Sequence, residues 1–198
     1  MTGSTPDPAP DPLAGLAWPL RTARLTIRRA TPADEEAVWA YRCLPEAGRW
    51  TGWAPRDRAD WSGIFAARLS RFLLVEREGE LIGDLMVTVG DGWAQREVVA
   101  DGRGTQAELG WTLAPAAQGR GYATEAVRAL LRLCFEDLGL RRVVANAFAG
   151  NEASWRLMER VGMRREGYGV EDSLHRDLGW VDGVAYAVLA REWPAAGA

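Results

Sequence analysis

The chain has 198 residues, of which 47% are hydrophobic and 26% are charged. This length and composition predict a single domain that buries its own core. The formal net charge of -3 argues against nucleic acid as a partner, because nucleic-acid-binding domains usually carry a basic surface. No segment is long and apolar enough to span a bilayer, and the N-terminus lacks the pattern of a secretory signal. We therefore expect a cytoplasmic protein with no membrane partner.

The few cysteines and histidines do not indicate a metal site or a histidine-dependent catalytic site. Cys43 and Cys134 each fall within a predicted helix, which favours two reduced core thiols in a reducing compartment. His175, the single histidine, lies in a polar stretch at 172–177 that is typical of a surface loop. We expect no metal, and a non-catalytic role for His175 is favoured.

The predicted elements follow one another in a clear order. Residues 1–19 carry prolines at positions 6, 8, 10 and 12, which disfavour helix and sheet and predict a disordered Pro-rich tail. Residues 20–198 are expected to form the domain. Apolar residues at alternating or helical spacing predict its strands and helices. In chain order these are a strand at 24–28, helices at 32–42 and 57–70, strands at 72–76, 81–89 and 107–113, a helix at 124–138, a strand at 141–148, a helix at 151–162 and a strand at 184–191.

This order also predicts the architecture. Antiparallel strands come first and a strand-helix-strand unit follows, which indicates an α/β (α+β) fold with a mixed, mostly antiparallel central sheet and helices on both faces. Residues 90–106 are rich in Gly, Asp and Arg and predict a solvated loop. The alternatives for this loop are a cover over a substrate site and a contact surface in a homodimer.

A glycine-rich turn at 118–124 joins the strand at 107–113 to the following helix. Free backbone N–H groups and the positive end of the helix dipole meet there, which suits an anion, and Arg120 could add a charged contact to phosphate. Taken alone, the turn is equally compatible with a connection that binds nothing. It lacks the Gly-Lys-Ser/Thr of a P-loop and does not fit a dinucleotide fingerprint, which argues against a nucleotide-dependent oxidoreductase.

The turn does fit the pattern Gln/Arg-x-x-Gly-x-Gly/Ala, and here the sequence resembles the GNAT acyltransferase superfamily. Residues 108–113 (ELGWTL) are similar to the strand that precedes this turn in the family. Asn151 and Ser154, followed by residues 158–163 (MERVGM), resemble the Asn-x-x-Ser…Glu-x-x-Gly-Phe block of the RimJ/RimL-type branch. Turn and block occur together at the right separation, which makes the resemblance specific.

The resemblance implies an N-acetyltransferase that passes acetyl from acetyl-CoA directly to a primary amine, in a ternary complex. The acceptor would be a protein N-terminus or a small-molecule amine. The backbone N–H near Leu113 would polarise the thioester carbonyl, and Asn151 would bond the cofactor, unless it is an ordinary N-cap. The residues implied in cofactor binding are Trp111, Thr112, Leu113, Gln118, Gly119, Arg120, Gly121, Tyr122, Ala123, Thr124 and Asn151.

The catalytic assignments rest on the chemistry of amines and thiols. Alkyl amines, with a reference pKa of about 10.4, are mostly protonated at neutral pH, so a base is needed. Glu108 is the first candidate, and an exposed strand carboxylate is the alternative. In many members of the resembling family, a tyrosine at the position of Met158 protonates the leaving thiol. Ser154 is the candidate substitute for this acid here, and a serine with a purely structural role is equally well supported. The resemblance also implies that Trp50 or Trp53 borders the acceptor site, although scattered core or surface aromatics are the favoured alternative.

Two further functions stay open at this stage. One is a GNAT-like sensor that binds acyl-CoA without turnover, which the missing tyrosine favours and which Glu108 and Ser154 disfavour. The other is an acyltransferase that uses a larger acyl-CoA, because the depth of the acyl pocket cannot be inferred from the sequence.

Overall fold

The computed structural model describes residues 11–193. Its strands are β1 Leu20–Arg21, β2 Thr26–Arg29, β3 Phe72–Arg77, β4 Glu80–Gly90, β5 Gln106–Leu113, β6 Arg142–Phe148, β7 Arg164–His175 and β8 Gly179–Leu189. Its helices are α1 Glu35–Arg42, α2 Pro45–Gly48, α3 Arg58–Arg68, α4 Tyr122–Arg132 and α5 Glu152–Arg160. Within residues 11–193 the strands form one eight-stranded sheet in the order β1-β2-β3-β4-β5-β6-β8-β7. None of the helices in this range is long and apolar enough to cross a membrane.

The sheet is antiparallel except between β5 and β6, which run parallel. These two strands pair at three positions, the last of which joins Glu108 to Val144. Beyond Glu108 the described residues show no further pairing between them, although β5 continues to Leu113 and β6 to Phe148. The two central strands therefore separate and leave a gap in the middle of the sheet.

Helices cover both faces of the sheet. Leu73 and Val75 of β3 belong to one core cluster, which includes residues of α4 and α5. Phe72 and Leu74 of the same strand belong to a second cluster, which includes residues of α1 and α3. Because successive side chains of a strand point to opposite faces, the two clusters lie on the two sides of β3. The predicted mixed sheet with helices on both faces is confirmed.

Residues 11–19 differ from the predicted disordered tail. Leu13 is 1% exposed and packs in the larger core cluster. The indole N–H of Trp18 donates to the carbonyl oxygen of Leu13 at 3.2 Å, and the carboxylate of Asp11 pairs with Arg29 of β2. The apolar side chains between the prolines thus anchor this segment to the domain. Residues 1–10, the remainder of the predicted tail, lie outside the described residues.

Two predictions about cysteine and histidine are wrong in part. Cys134 is buried, as expected, and burial raises the pKa of its thiol to about 12. Cys43 is exposed instead, because it follows the last turn of α1 on the side away from the core. His175 is not in a surface loop: it ends β7 and is 3% exposed.

Candidate active site

The edge of β5 that faces the gap carries free backbone N–H groups. On the opposite edge, the N–H of Ala114 donates to the carbonyl oxygen of Ile82 at 2.9 Å. Successive residues of a strand direct their backbone groups to alternate edges. The N–H groups of Trp111 and Leu113 therefore face the gap beside β6. A ligand with amide groups can bond to this edge as an added strand does.

The glycine-rich turn has the backbone geometry expected of an anion site. Gly119 and Gly121 adopt φ values of +74° and +77°, in the left-handed region that other residues avoid. Gly121 is the N-cap of α4, and within the described structure no side chain caps this helix start. The N–H groups of the first turn of α4 are consequently available to a ligand, at the positive end of the helix dipole.

The N-terminal turn of α4 is fixed to the start of the sheet by Glu125. Its carboxylate accepts hydrogen bonds from the hydroxyl of Thr22 and from the side chain of Arg24, both at 2.6 Å. Burial of the carboxyl opposes its ionisation, but these bonds outweigh burial and lower the pKa of Glu125. Arg24 also donates to the carbonyl oxygen of Arg120 at 3.2 Å and stacks over the ring of Tyr122 at 4.7 Å. The turn is therefore held in place before any ligand binds.

A cleft of about 750 Å³, here called the turn cleft, lies between the end of β5, the turn and α5. Arg120 is not among its described lining residues, and its side chain is exposed. The arginines that do line it are Arg49, Arg156 and Arg160, of which Arg156 pairs with Glu152 at 2.7 Å. The predicted cofactor residues that line it are Trp111, Thr112, Leu113, Gln118, Gly119, Gly121, Tyr122, Ala123, Thr124 and Asn151.

A second cavity of about 200 Å³, here called the inner cavity, adjoins the turn cleft. Its lining includes Glu108 and Ser154, the two catalytic candidates, and both tryptophans expected at an acceptor site, Trp50 and Trp53. A ligand in the cleft and a ligand in the inner cavity can meet where the two spaces join. The residues that line both are Trp50, Thr51, Trp111, Thr112, Asn151 and Ser154.

Glu108 lies at the point where β5 and β6 separate, since it forms the last β5–β6 pair. Its side chain is exposed to the inner cavity, and its Oε1 accepts a hydrogen bond from the amide of Asn146 at 3.1 Å. This single bond orients the carboxylate and leaves its Oε2 without a partner among the described residues. The carboxylate can therefore accept a proton from a ligand in the inner cavity.

Asn151 and Ser154 lie in the first turn of α5 and line both spaces. Asn151 is the N-cap of α5, but within residues 11–193 its side chain makes no capping hydrogen bond. The ordinary N-cap alternative is thus not the arrangement found. Met158 is fully buried in the core, so the position of the missing tyrosine faces away from solvent. The described residues contain no cluster of side chains that could hold a metal ion.

Comparison with known proteins identifies the family. The model of the acetyltransferase (GNAT) domain matches residues 24–164. The chain belongs to the GNAT acetyltransferases. Members of this family use acetyl-CoA as the acetyl donor.

Individual relatives agree with this assignment. The chain is 38% identical over 86 residues to the uncharacterized N-acetyltransferase YnaD of Bacillus subtilis, covering 43% of this chain and half of that one. It is 33% identical over 85 residues to the uS5-alanine N-acetyltransferase of Escherichia coli, covering 43% of each chain. The chain thus spans about half the length of these curated relatives. The structure of Mycobacterium smegmatis RimJ with CoA-disulfide superposes with a TM-score of 0.70, at 25% identity, over 86% of this chain and 84% of that one.

In this GNAT acetyltransferase, a buried ion pair that the sequence analysis did not identify forms one wall of the inner cavity. The guanidinium of Arg42 donates to both carboxylate oxygens of Asp84, at 2.9 and 2.5 Å, and the hydroxyl of Tyr41 donates to the same carboxylate. Burial raises the pKa of Tyr41 well above its ordinary value. Asp84 pairs across β4 and β5 with Thr112, so the cluster is joined to the strand that borders the gap. An aspartate inside the apolar run of β4 is the one signal that could have revealed it.

The loop that carries Trp50 and Trp53 is attached to the turn between β7 and β8. The backbone N–H groups after His175 donate to its Nδ1, so its Nε2 carries the hydrogen and donates to the carbonyl oxygen of Arg49 at 2.8 Å. The guanidinium of Arg176 donates to the carbonyl oxygens of Gly48 and Thr51, at 2.7 and 2.8 Å. We call these bonds the hairpin clasp.

The clasp also holds an aromatic group. The imidazole of His175 packs edge-on against the rings of Trp50 and Phe148, each with its centroid 5.2 Å away. Trp50 lines both the turn cleft and the inner cavity. The His175 ring therefore fixes the position of the Trp50 ring.

Replacing Arg176 by alanine is expected to raise the KM for both substrates together, because the clasp fixes a loop that borders both sites. Two charge-assisted bonds are lost, so the stability should fall by about 1–3 kcal/mol. Steady-state kinetics with each substrate varied in turn, together with thermal unfolding, measure both effects. Arg165→Ala, which removes an exposed arginine of β7, is the matched control and should leave both values of KM unchanged. A wild-type KM for both substrates in Arg176→Ala would rule out the positioning role.

Proposed function

We propose that this chain is an N-acetyltransferase that moves acetyl from acetyl-CoA directly to a primary amine within a ternary complex. The observation that supports it is the junction of two spaces beside the open edge of β5. One space, of about 750 Å³, is bordered by a turn with the backbone geometry of an anion site, and the other contains a carboxylate without an ion-pair partner among the described residues. We further propose that the reaction takes place in the cytoplasm.

The cofactor would be held along the turn cleft. The N–H groups at the start of α4, next to Gly121, would bind the pyrophosphate. Arg49 and Arg160 would supply positive charge, in place of Arg120. The free N–H of Leu113, which lines the turn cleft, would bond to the pantetheine arm and orient it toward the inner cavity. When bound, acetyl-CoA supplies the acetyl group as a thioester.

The chain's own residues would then accept the proton of the substrate amine and donate hydrogen bonds to the reacting groups. An ammonium group in the inner cavity lies next to Glu108, whose carboxylate accepts the proton and leaves a neutral amine. The backbone N–H of Trp111, at the junction of the two spaces, would donate to the acetyl carbonyl oxygen. The hydroxyl of Ser154 lies at the junction and would donate a hydrogen bond to the departing thiolate, which takes up the proton that the attacking amine loses as the amide forms. A thiol has a reference pKa of about 8.5, so a hydroxyl donor is sufficient there.

The acceptor class follows from the relatives and from the size of the site. The Escherichia coli relative is named as an N-acetyltransferase of alanine in ribosomal protein uS5. An alanine has an amine that can be acetylated only at the start of a chain, which supports a protein N-terminus as acceptor. A small-molecule amine also fits, because the inner cavity of about 200 Å³ is large enough for a short aliphatic chain. Both classes present a primary amine to Glu108, so they share one mechanism.

Thermal unfolding with acetyl-CoA tests the first step of the proposal. At a hundred times its Kd a ligand stabilises a fold by about 2.7 kcal/mol, which corresponds to roughly 5–10 °C for a domain of this size. NAD is the control ligand and should give no shift. Gly119→Ala should reduce the acetyl-CoA shift. Gly79→Ala, at a positive-φ glycine in the turn between β3 and β4, should not.

The outcomes separate the candidate functions. No shift at saturating acetyl-CoA would contradict the proposal. A shift without turnover of any amine in a broad panel would favour the sensor, and faster turnover of a longer acyl-CoA would reveal a different donor.

A further inference from the structure

Two arginines at the rim of the inner cavity have no counter-charge among the described residues. Arg68, at the end of α3, and Arg71, just before β3, both line this cavity and are exposed. The guanidinium of Arg68 lies 5.4 Å from the ring centre of Trp53, which holds it against the cavity wall. Among residues 11–193 neither arginine forms an ion pair, whereas Arg42, the third arginine of the cavity, is paired with Asp84.

Of the two carboxylates that line this cavity, only Asp84 is neutralised by an ion pair among the described residues. Asp84 accepts from Arg42 and Tyr41. Glu108 is bonded to Asn146. With the Arg42–Asp84 pair neutral as a unit, the cavity keeps one negative charge on β5 and two positive charges on the connection from α3 to β3. A molecule with an amine at one end and an anion at the other matches this separation of charge.

The inner cavity also continues outward. A groove of about 720 Å³ extends from it along β6 toward β7 and β8. The one carboxylate that this groove adds, Asp172, accepts a hydrogen bond from the hydroxyl of Ser173 at 2.8 Å. Arg68, Trp53 and Glu108 line both spaces, so an acceptor longer than a simple alkyl amine has room beside the two arginines.

We propose that the acceptor is an amine that also carries a carboxylate, with its amine next to Glu108 and its carboxylate bound by Arg68 and Arg71. This inference rests on the proposed acetyltransferase function and names its substrate class. Arginine binds carboxylate through paired N–H groups, which adds direction to charge. The carboxylate is repelled from Glu108 and attracted to the rim, so the amine enters first. The carboxylate can be that of a small amino acid or of an acidic residue near a peptide N-terminus.

Matched pairs of acceptors test this directly. β-Alanine is compared with β-alanine amide, and a peptide that begins Ser-Asp-Glu with one that begins Ser-Asn-Gln, by measuring kcat/KM with acetyl-CoA. We expect a preference of roughly tenfold for the carboxylate member of at least one pair, as charge-assisted bonds give, and a smaller preference at high ionic strength. The pair that shows the preference identifies the source of the carboxylate.

Variants then assign the preference to the rim. The double variant R68Q/R71Q should reduce it to less than about twofold, and R68K/R71K should retain most of it because the charge remains. Arg96→Gln, an exposed arginine in the 96–102 segment, removes the same charge away from the cavity and should have no effect. An unchanged acetyl-CoA shift in thermal unfolding shows that each variant is folded.

These experiments distinguish failure of the substrate inference from failure of the proposed acetyltransferase function. Equal kcat/KM for both members of every pair, or a preference that survives R68Q/R71Q, would overturn this inference and leave the acetyltransferase function standing. Absence of turnover with every acceptor would overturn both.

Discussion

Glu108→Gln is expected to lower kcat/KM by roughly 10²–10⁴-fold near pH 7, the usual contribution of a general base. Glutamine keeps the shape of the side chain and its contact with Asn146, so the fold and the binding of acetyl-CoA should be unaffected. The loss should shrink as the pH rises, because an acceptor amine with a reference pKa of about 10.4 becomes neutral without help. A pH profile of kcat/KM for wild type and variant, between about pH 6 and pH 10, measures this convergence.

The shape of that profile distinguishes a base from a residue that merely orients the site. A carboxylate that acts by positioning the acceptor would give a loss that is the same at every pH. Glu97→Gln, at an exposed residue of the 96–102 segment, is the matched control and should follow the wild-type profile. At pH 8 the loss of kcat/KM should be smaller for an α-amine acceptor, with a reference pKa of about 7.7–8.0, than for an alkyl amine acceptor. A loss of kcat/KM that does not change with pH for either the alkyl amine or the α-amine would show that Glu108 is not the general base.

Local sequence patterns predicted the parts of the site that local geometry determines. The glycines of the turn signal positive φ values, and residues 118–124 meet the start of α4 as expected. The apolar period of the helix at 124–138 predicts α4 well, although the chain leaves α-helical geometry at Leu133–Asp137 and continues as a π-helical turn. The Asn-x-x-Ser block of the resembling family predicted a helix from Asn151, and in α5 Asn151 is the N-cap and Ser154 lies in the first turn.

Features that depend on contacts distant in sequence escaped prediction. No sequence pattern predicts a strand between residues 162 and 184, yet β7 occupies most of that interval. It is an edge strand whose residues are mostly exposed, so it lacks the apolar alternation by which strands are recognised. His175 and Arg176 bind residues more than 120 positions earlier. A local sequence pattern cannot predict a contact over that separation. For the same reason it did not predict which arginines line the turn cleft.

Asp84→Ala is expected to destabilise the domain by about 3–5 kcal/mol, because it leaves the buried guanidinium of Arg42 without a counter-charge. The side chains of the pair are 2% and 8% exposed, so water cannot replace the lost carboxylate. At about 2–4 °C for each kcal/mol, thermal unfolding should show a Tm roughly 10 °C below that of wild type. Asp60→Ala, which breaks the largely exposed pair with Arg56, should cost about 1 kcal/mol or less.

The double variant Arg42→Met/Asp84→Leu separates the cost of an unpaired charge from the value of the pair. Replacing both charges with apolar side chains of similar size is often neutral, so the stability lost to the unpaired guanidinium should return, while the hydroxyl of Tyr41 stays without its acceptor Asp84. Activity should stay low, because Asp84 faces Thr112 across the strand that borders the gap and both residues line the inner cavity. A double variant as unstable as Asp84→Ala would contradict the electrostatic account. Recovered stability with wild-type kcat/KM would show that the pair serves the fold alone.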